Sequence, residues 1–276
     1  MEKISPEAKK KYAEKIKEYR QSIEEIQKAQ ATLEGTIRKS PQGAGYKRLE
    51  LAEAHLNLVS YYILMNSLSL SLLGIKNENY LNEARKCCYK SIICLEEIVS
   101  PYVDVPFSEY EEGLGSISEL TDEQKYHLIR KLGFAIDAVL EGFGDNSKWK
   151  WSFVELESRY ATITKNLVNM KTIIAQLDPR IAGYSERLNH LNLSKRLLQQ
   201  AADRYREKYE LSTQRLDDIK QAIYYLAALK RFHMLLGEIE RAEVVKKKID
   251  LWRAKMESDQ KKLEEADKQK SKSSLR

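Results

Sequence analysis

Few residues in this chain could do chemistry, and they stand apart from one another. The four histidines, His55, His127, His190 and His233, sit singly in helical pattern, and no HExxH, GxSxG, Walker or GxGxxG string occurs. A general base, a metal or a bound phosphate needs partners at fixed spacing, so the expectation is no catalytic residue. Cys87, Cys88 and Cys94 have neither CxxC nor Cys/His spacing. They read as small apolar fillers in a reducing compartment, with no metal ligand among them. Paired carboxylates such as Glu111-Glu112 and Asp217-Asp218 are sequence neighbours that point apart on a helix and read as solvated surface. The expectation is a protein that is not an enzyme and carries no cofactor.

Binding has more to work with. Tyr61-Tyr62 and Tyr224-Tyr225 lie within helical stretches, and Trp149-Lys-Trp151-Ser-Phe153 clusters three aromatics at a helix start. These rings are candidates for partner contacts, since buried aromatics dominate interface energetics. Tyr12, Ile16, Tyr19, Ile23, Ile26, Gln30 and Leu33 follow the four-three spacing of a heptad seam. Ile249, Trp252, Met256, Asp259, Leu263 and Ala266 repeat that spacing near the C-terminus, interrupted at Asp259. Each seam must pack on something, either a neighbouring helix of the chain or, through a coiled-coil contact, a partner or a second copy, with Tyr12, Ile16, Tyr19, Ile23 and Ile26 the candidate self-association residues.

Charge is distributed unevenly around a formal net of +6. Residues 1–40 carry ten Lys/Arg against seven acids, and residues 241–276 carry twelve against seven. Residues 91–124 hold nine acids and no Lys or Arg, which makes Glu109, Glu111 and Glu112 candidate contacts for a basic surface. The basic runs Lys9-Lys10-Lys11 and Lys246-Lys247-Lys248 alternate with acids along their helices, so no nucleic-acid partner is expected. Residues 55–75 lack formal charge over 21 positions, long enough to span a bilayer. Six polar residues (Asn57, Ser60, Asn66, Ser67, Ser69, Ser71) lower its hydrophobicity, and a central buried helix is the expected reading, with no membrane partner. The charged first helix does not resemble a secretory signal, which points to the cytoplasm.

The elements that position these residues are helices. Gly and Pro total 11 and 5 of 276 residues, and long stretches lack any turn signal. Ser5-Pro6 predicts a helix over residues 5–34 that stops near Gly35. Helices are expected over residues 46–73 and 78–99, then a long acidic loop over 100–120 with one short helix. Thr121-Asp-Glu-Gln124 fits a capping box opening a helix to about Phe143. Helices over 148–177 and 179–211 follow, and then a hairpin over 213–266 turning at Gly237. Residues 267–276 read as a disordered basic tail.

The strongest internal signal is a repeated string. Tyr61-Tyr62, nine residues, then Leu72-Leu73-Gly74 matches Tyr224-Tyr225, nine residues, then Leu235-Leu236-Gly237. Each copy closes a helix at Gly, and the next helix keeps a small residue early, Ala84 or Ala242. These hairpins resemble tetratricopeptide repeats: Gly237-Glu-Ile-Glu-Arg-Ala242 has the turn spacing, and Leu226 and Leu229 stand at the large and Leu positions. Tyr80-Leu-Asn-Glu-Ala84 with Tyr89-Lys-Ser91 resembles the family's second helix with one extra residue in its turn, and Lys230 stands where a small residue is usual. The resemblance implies stacked hairpins whose concave surface binds peptides or partner proteins; no ligand-clamping residues carry over. The expectation is one all-α domain over residues 1–266, with antiparallel hairpins stacked as a tetratricopeptide-like right-handed array and long terminal helices. Its expected role is that of an adaptor or scaffold binding a protein partner; self-association and, least favoured, membrane association through 55–75 are the alternatives.

Overall fold

A computed structural model describes residues 4–41, 43–144 and 148–273, and side chains as far as residue 265; the described residues are helical, with no strand among them. The order is α1 (Pro6–Lys39), α2 (Gly45–Leu73), α3 (Glu78–Glu96), α4 (Glu111–Gly115), α5 (Asp122–Phe143), α6 (Lys150–Asn166), α7 (Met170–Ala175), α8 (Tyr184–Lys208), α9 (Leu216–Leu235) and α10 (Ile239–Ser273). Local chemistry sets most of these ends. Ser5 Oγ accepts from Ala8 N ahead of Pro6, Asn77 Oδ1 accepts from Asn79 N and Tyr80 N, and the Thr121–Gln124 capping box is complete. Gly74 and Gly237 both take positive φ, 65° and 73°, which glycine adopts without steric cost.

Several boundaries differ from the sequence reading, among them α3, which ends at Glu96, and α8, which begins at Tyr184 where 179 was expected. α1 continues through Gly35 to Lys39, because a mid-helix glycine costs only about 1 kcal/mol relative to alanine. The helix expected over 148–177 ends at Asn166, and Asn169 caps a separate α7 through Lys171 N and Thr172 N. α10 stays helical to Ser273 where a disordered tail from 267 was expected; residues 274–276 of that expected tail lie outside the described residues. The chain divides into two compact units, residues 1–101 with 106–190 and residues 102–105 with 191–276.

In the first unit α2 packs against α1, α3 and α5, and α3 packs in turn on α5 and α6. Leu56, Met65, Leu81, Ile92, Leu95, Ile129, Leu132, Ile136 and Leu156 are fully buried, each contributing about 1.5–3 kcal/mol of transfer free energy. The N-terminal seam packs on the chain's own helices: Tyr19 meets the Tyr61 ring at 5.9 Å, Tyr12 Oη lies 3.3 Å from Tyr80 Oη, and Gln30 Nε2 donates to His55 Nδ1 at 2.9 Å. Ile16 and Ile23 are buried and Ile26 is half-buried beside them. Among the described residues α2 is the one helix long and apolar enough to cross a membrane. Its polar residues act locally, Asn66 Oδ1 accepting from Asn77 N at 2.9 Å and Ser69 Oγ donating to Ile75 O at 2.8 Å.

From residue 106 on, the acidic stretch is folded into this unit through a 3-10 turn, Phe107–Glu109, and α4. Tyr110, Leu114 and Ile117 are buried, and a Cβ on Gly113 would fall on the Ile98 carbonyl oxygen, so only glycine fits there. Its acids are largely engaged within the chain: Glu96 with Arg159 at 2.5 Å, Glu97 with Arg48 at 2.9 Å, Glu111 with Lys171 at 2.5 Å and Asp122 with Arg187 at 2.9 Å.

In the second unit α9 and α10 form an antiparallel hairpin about Gly237, with Ile219, Leu226, Phe232, Ala242, Ile249 and Trp252 buried. Side-chain ties set α10 parallel to the later turns of α8. Lys195 reaches Glu238 at 2.8 Å, Lys248 reaches Asp203 at 2.7 Å, and Tyr209 Oη donates to Asp259 Oδ2 at 2.7 Å. Of the C-terminal seam, Ile249 and Trp252 are buried, Met256 is half-buried and Leu263 is exposed. α8 leaves this packing through a π turn, Tyr209–Thr213, that ends on Gln214 at φ 50°.

Burial lowers His55 and His190 each to about 4. In the unfolded chain both protonate near 6.5. The first unit is therefore fully stable with respect to these groups above pH 6.5 and loses stability as pH falls from 6.5 toward 4, by on the order of 3 kcal/mol per histidine. Urea unfolding followed by circular dichroism at pH 7 and pH 4.5 is expected to show this drop, and a His55→Gln/His190→Gln chain to show a flatter pH dependence.

Candidate interaction surface

Three of the four histidines, His55, His190 and His233, are buried and hydrogen-bonded within the chain. Among the described residues no three His, Cys, Asp or Glu side chains come together as a metal site. His190 Nε2 donates to Thr164 O at 2.7 Å, and His233 Nδ1 donates to Glu238 Oε2 at 2.5 Å. Burial works against ionisation of Glu238, but Lys195 and His233 hold its carboxyl below the ordinary range. The three cysteines are free and buried, and burial pushes Cys87 up to about 11, Cys94 up to about 12 and Cys88 further still.

The aromatic candidates separate by exposure. Tyr61 is half-buried against Tyr19, and burial raises the hydroxyl of half-buried Tyr62. Trp149 lies beneath the Arg85 guanidinium at 4.4 Å and edge-on to Phe143 at 6.2 Å, an inter-helix contact between α3, α5 and the start of α6. Trp151 is half-buried with Lys150 at 5.0 Å from its ring. Tyr225 is 5% exposed and stacks on Tyr205 at 5.9 Å, whereas Tyr224 is 48% exposed. Of the acidic candidates, Glu109 and Glu112 are exposed and Glu111 pairs with Lys171. Tyr224 is thus the candidate ring most open to solvent, and it stands on α9 three residues before Ala227.

Ala227 belongs to a groove of about 240 Å³ between α9 and α10. On α9 the lining residues are Ala227, Lys230 and Arg231; on α10 they are Lys246, Ile249, Asp250 and Arg253. Helical periodicity puts them there: positions three, four and seven apart share one face, so each helix presents a single wall. Ile249 is 4% exposed and, with the half-buried Ala227, supplies an apolar floor. Four cations and one carboxylate line the groove. Arg231 pairs with Asp104 and Lys246 stands 3.6 Å from Glu243, while Lys230 and Arg253 have no acidic partner among the described residues.

Sequence reading did not find this groove. Lys230, Arg231 and Arg253 carry no motif, and they converge only because α9 folds back on α10 at Gly237. Reflecting the sequence about that glycine, which sets Lys230 and Arg231 beside Lys246, was the available signal. A second concavity of about 490 Å³ near the π turn is lined by Tyr209, Lys255, Asp259 and Lys262. Its charges satisfy one another: the Tyr209 hydroxyl and the Lys255 ammonium hold Asp259 down to about 2, and burial with the bond to Asp259 pushes Tyr209 up to about 12.

The model of the TP0443 family matches residues 8–260, a span that includes both glycine-ended hairpins and the groove. No curated protein and no solved structure matches the chain.

The two tyrosines of the second pair are expected to behave differently. Tyr225→Ala removes a buried stacked ring and is expected to cost about 3 kcal/mol, whereas Tyr224→Ala stays within about 0.5 kcal/mol of the parent. Chemical unfolding of the two variants checks this.

Proposed function

We propose that this chain, which belongs to the TP0443 family, is a non-enzymatic helical module that binds a partner protein through the α9–α10 groove, as an adaptor or scaffold subunit. The observation that carries the reading is the groove itself: an apolar floor, Lys230 and Arg253 without acidic partners among the described residues, and the exposed ring of Tyr224 three residues before Ala227 on the same helix. An aromatic beside charged groups over a desolvated floor is the composition of a binding hot spot.

On this reading the α2–α3 and α9–α10 hairpins are tetratricopeptide-like units. Supporting it are the positive-φ glycines that close both first helices and the buried Ala84 and Ala242 early in both second helices. Three reduced, buried thiols favour a cytoplasmic setting. The engaged histidines and carboxylates give no support to catalysis or to a resident cofactor, and burial of Ile16 and Ile23 against α2 gives none to self-association through the N-terminal seam.

The test is affinity capture from an extract of the source cells, with the parent chain beside Lys230→Glu/Arg253→Glu and Tyr224→Ala. A specific partner is expected to be recovered stoichiometrically on the parent and reduced at least about tenfold on each variant, with unchanged circular dichroism. Equal recovery on the charge-reversed chain would place the binding face elsewhere.

A further inference from the structure

We infer that the segment received by the α9–α10 groove is an acidic, amphipathic peptide whose carboxylates stand about 10 Å apart with an apolar residue between them. This rests on the groove being the binding face, and it follows from the order of charges along its walls. On α10 the sequence of signs is Lys246, Asp250, Arg253: positive, negative, positive. Lys246 and Arg253 are seven residues apart, about 10.5 Å along a helix, and Asp250 lies between them. α9 adds Lys230 and Arg231 to the same groove, with Arg231 already paired to Asp104. Lys246 stands 3.6 Å from Glu243, so among the described residues the groove cations without an acidic partner are Lys230, which the turn at Gly237 brings toward the Lys246 end, and Arg253. That positive charge sits at two places, and a carboxylate facing the midpoint would meet Asp250.

What fits the midpoint is apolar, because the floor there is Ala227 and Ile249 and Tyr224 is one turn away. A helical ligand meets these conditions with acids at i and i+7 and Leu, Ile or an aromatic at i+3 or i+4, the period of an amphipathic face. An extended ligand meets them with acids three residues apart. A nucleic-acid backbone does not: its phosphates recur without a gap, and one of them is driven against Asp250. Exposed ion pairs contribute little each, so the apolar contact and the Tyr224 ring must supply much of the binding, with the charges setting register and salt dependence.

Fluorescence anisotropy with the full chain tests this. The probe is a labelled, alanine-based helical peptide with Glu at i and i+7 and Leu at i+3 and i+4. The controls are a peptide of equal composition with adjacent Glu residues, and a single-stranded oligonucleotide. The spaced peptide is expected to bind at least about tenfold more tightly than the adjacent-Glu peptide, to weaken as salt rises from 50 to 300 mM, and to lose at least about tenfold on Lys230→Glu/Arg253→Glu. Asp250→Asn is expected to narrow the gap between the spaced peptide and the oligonucleotide. All substituted positions lie on the groove face, and circular dichroism verifies that the variants fold. Equal binding of the two peptides, or tighter binding of the oligonucleotide, would overturn the inference. If partner capture still depended on Lys230 and Arg253 in that case, the groove would remain the binding face with a different ligand chemistry; if it did not, both readings would fall.

Discussion

Helix α2 carries the longest apolar stretch among the described residues, and three neighbouring helices cover part of it while Leu64 and Leu70 stay about half exposed. α1 takes one flank with its heptad seam, α3 returns along another, and α5 closes a third. Polar groups on α2 are accommodated only where they bond: His55 to Gln30, Asn66 to the Asn77 backbone, and Ser69 to the Ile75 carbonyl. The remaining polar positions, Asn57, Ser60, Ser67 and Ser71, form the stripe that stays exposed. The desolvation cost of an unpaired buried donor or acceptor makes this arrangement specific as well as stable. The α1 seam and the α2–α3 hairpin follow from that single demand.

The second unit meets a different requirement, because its helices carry more charge and less apolar area. Here ion pairs align the elements that the small core leaves underdetermined. Glu238 gathers Lys195 from α8 and His233 from α9 at the start of α10, and Asp259 gathers Tyr209 and Lys255 about six turns later. These two carboxylates fix α10 alongside α8 at both ends of their contact. In the α9–α10 groove Arg231 and Lys246 have acidic neighbours, while Lys230 and Arg253 have none among the described residues.

Helix type was legible in the sequence wherever a cap or a breaker spoke locally: Ser5-Pro6, Thr121 with Gln124, Gly74, Gly237. Boundaries went astray where a local signal was outweighed or overlooked. Gly35 was tolerated within α1, and Asn169 started α7 with a cap that no periodicity announced. Exposure was less legible than type. Tyr224 and Tyr225 are indistinguishable in the string, yet one faces solvent and the other stacks on Tyr205, a difference decided by the hundred-degree step between neighbours on a helix. The acidic stretch reads as a long loop with Glu109, Glu111 and Glu112 as candidate contacts for a basic surface. Most of its charges meet arginine or lysine within the same chain, partners that lie about 50 to 130 residues away in sequence and leave no local trace.

The three cysteines have a practical corollary. Thiolate, not thiol, attacks a maleimide or a disulfide reagent, and burial holds Cys87, Cys88 and Cys94 in the thiol form at neutral pH. In the folded chain they are chemically silent. A single cysteine introduced on the surface can carry a spectroscopic label without any native one being removed. The same silence makes the native thiols an intrinsic clock: their modification by a small reagent reports how often α3 parts from its neighbours, residue by residue, with no label at all.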